Sequence, residues 1–343
     1  MSRYLITGGA GFIGCNLAAA LIGKGHEVVI FDNLSRKGTD MNVRWLRTRG
    51  RFTLIRGDLR NFNDVQNAVR RAGRVDTVAH LAAQVAVTTS VSNPREDFDI
   101  NALGTFNLLE AVRLSGGDPV ILFSSTNKVY GGMEDIAVVE RGGRYQYRDY
   151  PQGISEDRLL DFHSPYGCSK GAADQYVRDY SRIYGLRTVV FRQSCIYGYR
   201  QFGVEDQGWV AWFIIASVLG RPVTVYGDGK QVRDLLFIDD LVNAFLAAER
   251  KIGKTAGRVY NIGGGAGNQM SLLELIAFLE LRLGRKLEYT FADWRPGDQP
   301  VFVCDVSKAA REFGWKPRTS VKQGAQKLFD WVVENKKLFQ KIF

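Results

Sequence analysis

Tyr166 and Lys170, four residues apart in the run SPYGCSK, are the pair best equipped for chemistry in this chain. On a helix that spacing puts both side chains on one face. An ammonium beside a phenol favours phenolate, which equips Tyr166 to accept a proton near neutral pH. A second group of candidates lies in SSTNKVYG, residues 124–131, directly after the apolar strand candidate PVILF. Thr126 offers a hydroxyl that can hold a reacting oxygen or relay its proton. Ser124 and Ser125 precede it; Asn127 and Lys128 follow it. A tyrosine and lysine at this spacing also occur on ordinary surface helices, so the pair acquires meaning only from the elements that position it.

The first such element is ITGGAGFIG, residues 6–14, where a strand candidate ends and a helical pattern begins. Gly8, Gly11 and Gly14 allow a tight turn and close approach of a pyrophosphate to the helix N-terminus, with Phe12 and Ile13 between them. Asp32 lies 18 residues beyond Gly14, at the end of the second strand candidate, flanked by Asn33 and Ser35. A carboxylate there accepts hydrogen bonds from ribose hydroxyls and repels a 2′-phosphate, which selects NAD over NADP. Arg36 and Lys37 are the countervailing signal. Asp58 and Leu59 in RGDLR end the third strand near the expected adenine. Leu81, Ala82 and Ala83 in HLAAQ end the fourth in residues small enough for a cofactor to pass.

Short apolar strands (RYLIT, HEVVIF, FTLIRG, VDTVAHLA, DPVILF, RTVVFR) alternate with amphipathic segments such as FNDVQNAVRRAG. That rhythm predicts an α/β fold: a doubly wound parallel sheet of Rossmann type with helices on both faces. It becomes irregular after about Gln193. The expected division is a dinucleotide domain over 1–193, rejoined by 234–263, and a smaller substrate domain over 194–343.

Hydrophobic residues make up 45% and charged ones 24% of the 343 residues, as in a globular enzyme. The strand candidate at residue 3 leaves no room for a signal peptide, and the apolar run WVAWFIIASVL is too short to span a bilayer, so a cytoplasmic location is expected. Four scattered cysteines and three histidines argue against a disulfide framework or a metal site. The net charge of +10 is partly local, with Arg36, Lys37, Arg44, Arg47, Arg49, Arg51, Arg56 and Arg60 set against Asp40 and Asp58. No aromatic-rich recognition motif accompanies it, so a nucleic-acid partner is not expected.

The glycine spacing, RGDLR, HLAA, Asn101 in DINALGTFNLLEA and YGCSK together resemble the extended short-chain dehydrogenase/reductase family acting on nucleotide sugars. The motifs cover nearly the whole chain. The resemblance implies a tightly bound NAD, a nucleotide-sugar substrate, and self-association as a homodimer or homotetramer. It gives Thr126, Tyr166 and Lys170 the catalytic roles and places Asn101, Ser124 and Ser125 with the cofactor. Arg233 and Arg295 match arginines that grip the diphosphate, a task suited to a forked guanidinium. Gln193, Ser194, Gln207, Trp209, Tyr226 and Asp298 join Asn127 and Lys128 as expected substrate contacts. Tyr130, Arg192 and Tyr197 match positions near the site, and Asp239 reads as a helix cap.

Asn127 and Lys128 depart from the family's 4,6-dehydratases, which carry an aspartate and a glutamate at these positions. An amide cannot titrate, and a lysine has the opposite charge, so dehydration is not expected. What remains is oxidation and re-reduction at one carbon, hence epimerisation. SSTNKVYG, FRQSCIYG, DQGWVAWF and WRPGDQPVFVCD resemble the branch of the family that epimerises CDP-sugars at C2. The residues themselves leave C4 chemistry on a UDP-hexose open. They also leave open whether residues 132–163, with Arg144 and Tyr147, form a flap over the sugar or a surface excursion.

Overall fold

The computed structural model describes residues 1–295 and 297–342. Seven strands form one parallel sheet: β1 (Arg3–Thr7), β2 (Glu27–Asp32), β3 (Thr53–Arg56), β4 (Thr77–His80), β5 (Val120–Thr126), β6 (Arg187–Gln193) and β7 (Arg258–Ile262), in the order β7-β6-β5-β4-β1-β2-β3. The first six coincide with the six apolar runs. Their central residues are apolar because both faces of the sheet are covered. Pleating splits the side chains: Ile6 and Leu122 enter a core shared with the helix Phe12–Gly23 and most of the C-terminal half. Leu5, Ile121 and Phe123 enter the opposite core, with the helices Phe62–Ala72, Gly104–Leu114 and Ser164–Tyr184. The order reverses between β1 and β4, so a crevice opens at the C-terminal strand ends.

The helix Ser164–Tyr184 begins with a proline in its first turn and ends at Gly185 in the left-handed region. Its buried Ala173 and Val177 seat it against the sheet. That seating holds Tyr166 and Lys170 over the end of β5.

In the C-terminal half, the apolar run is the buried helix Trp209–Leu219. No helix among the described residues is long and apolar enough to cross a membrane. The strand Val232–Phe237 pairs with Cys195–Tyr197, Gln269–Ser271 and Val301–Phe302, placing β6's continuation beside the C-terminal half.

Residues 138–147 form an antiparallel hairpin turned by Gly142 and Gly143, whose φ values of 61° and 76° suit a two-residue loop. Tyr145 donates to Asp228, Tyr147 to the Val301 carbonyl, and Arg144 pairs with Glu274. The hairpin is thus fastened to the C-terminal half, and Arg144 and Tyr147 are both engaged in that fastening.

Candidate functional site

A groove runs across the ends of β1, β2, β3 and β4, lined by Gly8, Gly11, Phe12, Ile13, Gly14, Asp32, Asn33, Ser35, Arg36, Asp58, Leu59, Leu81, Ala82 and Ala83. The glycines are required sterically. Gly8 has φ of 68°, and a Cβ on it would meet the Ala82 nitrogen at 2.6 Å. One on Gly14 would lie 2.3 Å from the Gly8 carbonyl oxygen. Gly11 caps the helix Phe12–Gly23 without a side-chain hydrogen bond, and no acidic residue stands in the first turn. The first-turn N–H groups and the positive end of the helix dipole therefore face a groove open to an anion.

Asp32 is fixed by N–H donors from Ala10 at 2.9 Å and Leu34 at 2.8 Å. Asp58 accepts both arms of Arg60, at 3.0 and 2.8 Å, and the Asn33 amide at 3.0 Å. The Arg60 hydrogen bond, the largest influence, holds the Asp58 carboxyl down to about 2. Arg36 reaches across to Gln207 Oε1 at 2.6 Å. Gln207, expected at the substrate, instead lines this groove.

The wall of the groove extends to Val85 and Ile100, and β5 is the next strand over. There the hydroxyl-rich run is divided by the pleat. Ser125 points to the side of the helix Ser164–Tyr184 and donates to Asp174 at 2.8 Å. Ser124 offers its carbonyl to Lys170 Nζ at 2.7 Å. Thr126 lies beside the Tyr166 phenol, whose pKa it lowers, and receives the Lys128 N–H at 3.2 Å. Gln193 is the register partner of Thr126 and is only 6% exposed, yet its Nε2 has no hydrogen-bond partner. An orphaned buried amide beside the Thr126 hydroxyl suits a polar ligand atom.

The protein's own groups do not lower the Tyr166 pKa as the spacing suggests. Burial pushes the phenol up to about 12; Thr126 offsets part of this and Asp97 adds to it. Burial also pushes Lys170 down to about 8, against the pull of Asp174 and Asp97. The Lys170 ammonium lies 4.4 Å from the centre of the Phe123 ring. A positive nicotinamide beside Tyr166 is a favourable charge that the protein side chains do not supply.

On the C-terminal side, Arg233 pairs with Asp298 at 2.8 Å, and Arg295 lies 3.8 Å over the Tyr226 ring while holding the Glu205 carbonyl at 3.0 Å and Asp206 at 3.2 Å. Lys128 Nζ donates to the Gly297 carbonyl at 3.1 Å. Burial pushes its pKa down to about 8, Arg233 adds to this, and Asp298 opposes it. Trp209 opens its helix with its indole N–H buried beside Cys195. Lys128, Arg233, Arg295 and Trp209 thus gather donors on one side of the β5 and β6 ends.

Several of the expected residues have partners within the protein. Asn101 is buried and spends its amide on Gln84, Asp97 and Ser169. Ser194 turns to Asp234. Tyr130 donates to Asn261 at 2.7 Å, Arg192 forms a buried pair with Asp174, and Tyr197 donates to the Val321 carbonyl. Asp239 does not cap its helix: Phe237 is the cap residue, with no side-chain hydrogen bond. The neighbouring Asp240 instead accepts the Arg318 and Thr319 N–H groups. The sequence reading missed Ser90, which receives the Tyr166 N–H at 3.1 Å, and Asp97.

This architecture defines a dinucleotide-binding enzyme class. Residues 5–328 match the family described as GDP-mannose 4,6 dehydratase. The CDP-paratose 2-epimerase of Salmonella typhi is 48% identical over 334 residues, covering 96% of this chain and 98% of that protein. Two solved structures superpose over nearly all of it. The UDP-glucose 4-epimerase of Thermotoga maritima with UDP-glucose has a TM-score of 0.82 at 30% identity, covering 98% and 99%. The Thermus thermophilus UDP-glucose 4-epimerase complex with NAD has a TM-score of 0.79 at 32% identity, covering 96% and 98%. The chain belongs to the NAD-dependent epimerase/dehydratase family of short-chain dehydrogenases/reductases.

Proposed function

We propose that this protein is a nucleotide-sugar epimerase that interconverts CDP-paratose and its 2-epimer, CDP-tyvelose. The observation that carries the reading is the 48% identity, spread over 96% of the chain, to a CDP-paratose 2-epimerase, against 31% and 32% to two UDP-glucose 4-epimerases. Asn127 and Lys128 support it, because strand β5 presents no carboxylate pair there for dehydration. Residues 1–193 with 234–263 are assigned to the NAD half and 194–343 to the substrate half.

The groove residues fit NAD. Gly8 and Gly11–Gly14 suit the pyrophosphate; Asp32, Asn33, Ser35 and Arg36 suit the adenosine ribose; Asp58 and Leu59 suit the adenine. NAD held there would supply reversible hydride acceptance at C2, with no net redox change. Tyr166 Oη receives the proton of the 2-hydroxyl as the 2-keto sugar forms and gives it back on reduction. Thr126 holds the same oxygen, and Lys170, one helical turn on from Tyr166, is held by the Ser124 carbonyl. The keto sugar must turn over while its diphosphate stays anchored. Arg233 and Arg295, steadied by Asp298 and Tyr226, serve as anchors. Gln193 and Asn127 contact the sugar through short polar groups that release easily.

Arg295→Ala is expected to raise the substrate dissociation constant by about ten- to a hundredfold, the range for charge-assisted hydrogen bonds to phosphate, with kcat less affected. Isothermal titration with CDP checks it, and an unchanged affinity would contradict the anchor role. For self-association, the helices Gly104–Leu114 and Ser164–Tyr184 carry exposed Phe106, Leu114, Tyr176 and Ile183, a face suited to a homodimer or homotetramer. Sedimentation velocity should give two or four chains per particle; a single chain would refute that.

The function itself is tested by offering CDP-paratose and UDP-glucose in parallel and following each by proton NMR. Conversion of the CDP-sugar alone supports the reading; conversion of UDP-glucose alone replaces it with 4-epimerisation.

A further inference from the structure

We propose that the tight turn Val204–Gln207 couples the nucleotide-sugar anchor to the cofactor groove, so that a nucleoside diphosphate held at Arg295 slows the loss of NAD. The inference rests on the roles given above to Arg295 and to the groove.

The turn is closed by its own backbone. The Val204 N–H donates to the Gln207 carbonyl at 3.1 Å and the Gln207 N–H to the Val204 carbonyl at 2.9 Å, which leaves Glu205 and Asp206 at the tip. Arg295 holds that tip. Its Nη2 donates to the Glu205 carbonyl at 3.0 Å and lies 3.2 Å from Asp206 Oδ1. Tyr226, whose ring faces the Arg295 guanidinium, donates its hydroxyl to Glu205 Oε1 at 3.1 Å. At the end of the turn, Gln207 Oε1 accepts from Arg36 Nη2 at 2.6 Å, and both side chains line the groove. Hydrogen bonds therefore lead from the anchor, through three consecutive residues, to the other wall of the groove.

The chain entering the turn is fixed beside the same groove. Arg200, only 6% exposed, donates to the Asn42 side chain at 2.9 Å and to the Met41 carbonyl at 3.0 Å. A Cβ on Gly38 would strike the Phe202 ring, so that ring sits tightly on the loop between β2 and the helix Thr39–Arg47. Arg200, Gln201 and Phe202 line the groove together with Gln207. With this foot held, the segment opens the groove by a movement of the turn. The Arg36–Gln207 bond opposes that movement.

Without a nucleotide the turn is weakly held. The Arg295 and Asp206 side chains are 22% and 56% exposed, and an ion pair so exposed adds little. A diphosphate changes this through the shape of the guanidinium, a planar fork of N–H donors. Charge-assisted bonds to phosphate oxygens fix the fork, while Nη2 keeps the Glu205 carbonyl, a neutral oxygen that an anion does not repel. The Asp206 carboxylate is repelled and turns to solvent, which its exposure allows. Ordering Arg295 thus orders the turn, and the ordered turn keeps Gln207 on Arg36.

The experiment loads the purified protein with radiolabelled NAD, chases it with unlabelled NAD, and follows the retained label with and without saturating CDP. Calorimetry on the same samples measures CDP binding. CDP should slow exchange from the wild type by about tenfold, within the range of coupling between two sites. Gln207→Ala should exchange about three- to tenfold faster than wild type without CDP, the effect of one hydrogen bond, and should lose most of the CDP effect. Gln207→Glu keeps an oxygen for Arg36 and should restore both. CDP that binds yet leaves wild-type exchange unchanged or faster overturns the proposal and leaves the epimerase reading intact. A Gln207→Ala with the full CDP effect, or a Gln207→Glu as leaky as Gln207→Ala, overturns it equally. If CDP does not bind, the CDP-sugar reading fails, and UDP, which carries the same diphosphate, decides the coupling in the same assay. If neither binds, Arg295 is no anchor and the proposal falls with it.

Discussion

Tyr166→Phe should lose about a thousandfold or more of the epimerisation rate, within the range for removing a positioned proton-transfer group, while NAD remains bound. The substitution deletes one oxygen. The aromatic ring keeps its buried place and the Tyr166 N–H keeps its bond to Ser90, so the helix stays seated. Lys170 keeps its bond to the Ser124 carbonyl, and every groove contact over β1 to β4 is untouched. The loss should therefore fall on kcat, with cofactor content near wild type. Rate by NMR and NAD released on denaturation measure the two quantities separately. A rate within tenfold of wild type would remove Tyr166 from the chemistry.

Arg192→Leu should destabilise the protein by about 3–5 kcal/mol, the cost of leaving a buried charge without its partner. Arg192 and Asp174 are 3% and 0% exposed. Without the guanidinium, Asp174 keeps only the Ser125 hydroxyl and the Gln175 amide, and Tyr130 loses a donor at 3.2 Å. The double variant Arg192→Leu/Asp174→Leu should recover part of the loss, because no lone charge remains. Urea unfolding midpoints provide the measurement. A single variant within about 1 kcal/mol of wild type would mean that the pair is solvated and does not brace the end of β5.

The pattern of what could be read from the sequence follows from the range of each interaction. The six strands were legible because each is a short apolar run, and the glycine loop because its constraint is local: Gly8 and Gly14 are tied to backbone within or beside their own turn. The hairpin at 138–147 was missed, although Gly142-Gly143 between short strand candidates is a turn signal. The partner of Ser125 was missed, although alternation points to it. Phe123 enters the core beside the helix Ser164–Tyr184, so the residue two positions on points there too. The partners of Asp97 and Tyr130 are different. Asp97 meets Ser169 across 72 residues, and Tyr130 meets Asn261 across 131, distances at which residue type and spacing carry no pairing information. At Tyr166 the spacing displays the lysine and conceals the burial that raises the phenol.

The central claim is oxidation and re-reduction at C2 with the hydrogen held on the enzyme. Its most direct test is CDP-paratose carrying deuterium at C2, incubated in ordinary water with the purified protein and no added NAD, and followed by proton and deuterium NMR. The account predicts that CDP-tyvelose appears with the deuterium still at C2. CDP-tyvelose with hydrogen from water at C2, or a substrate unchanged even after NAD is added, would contradict it.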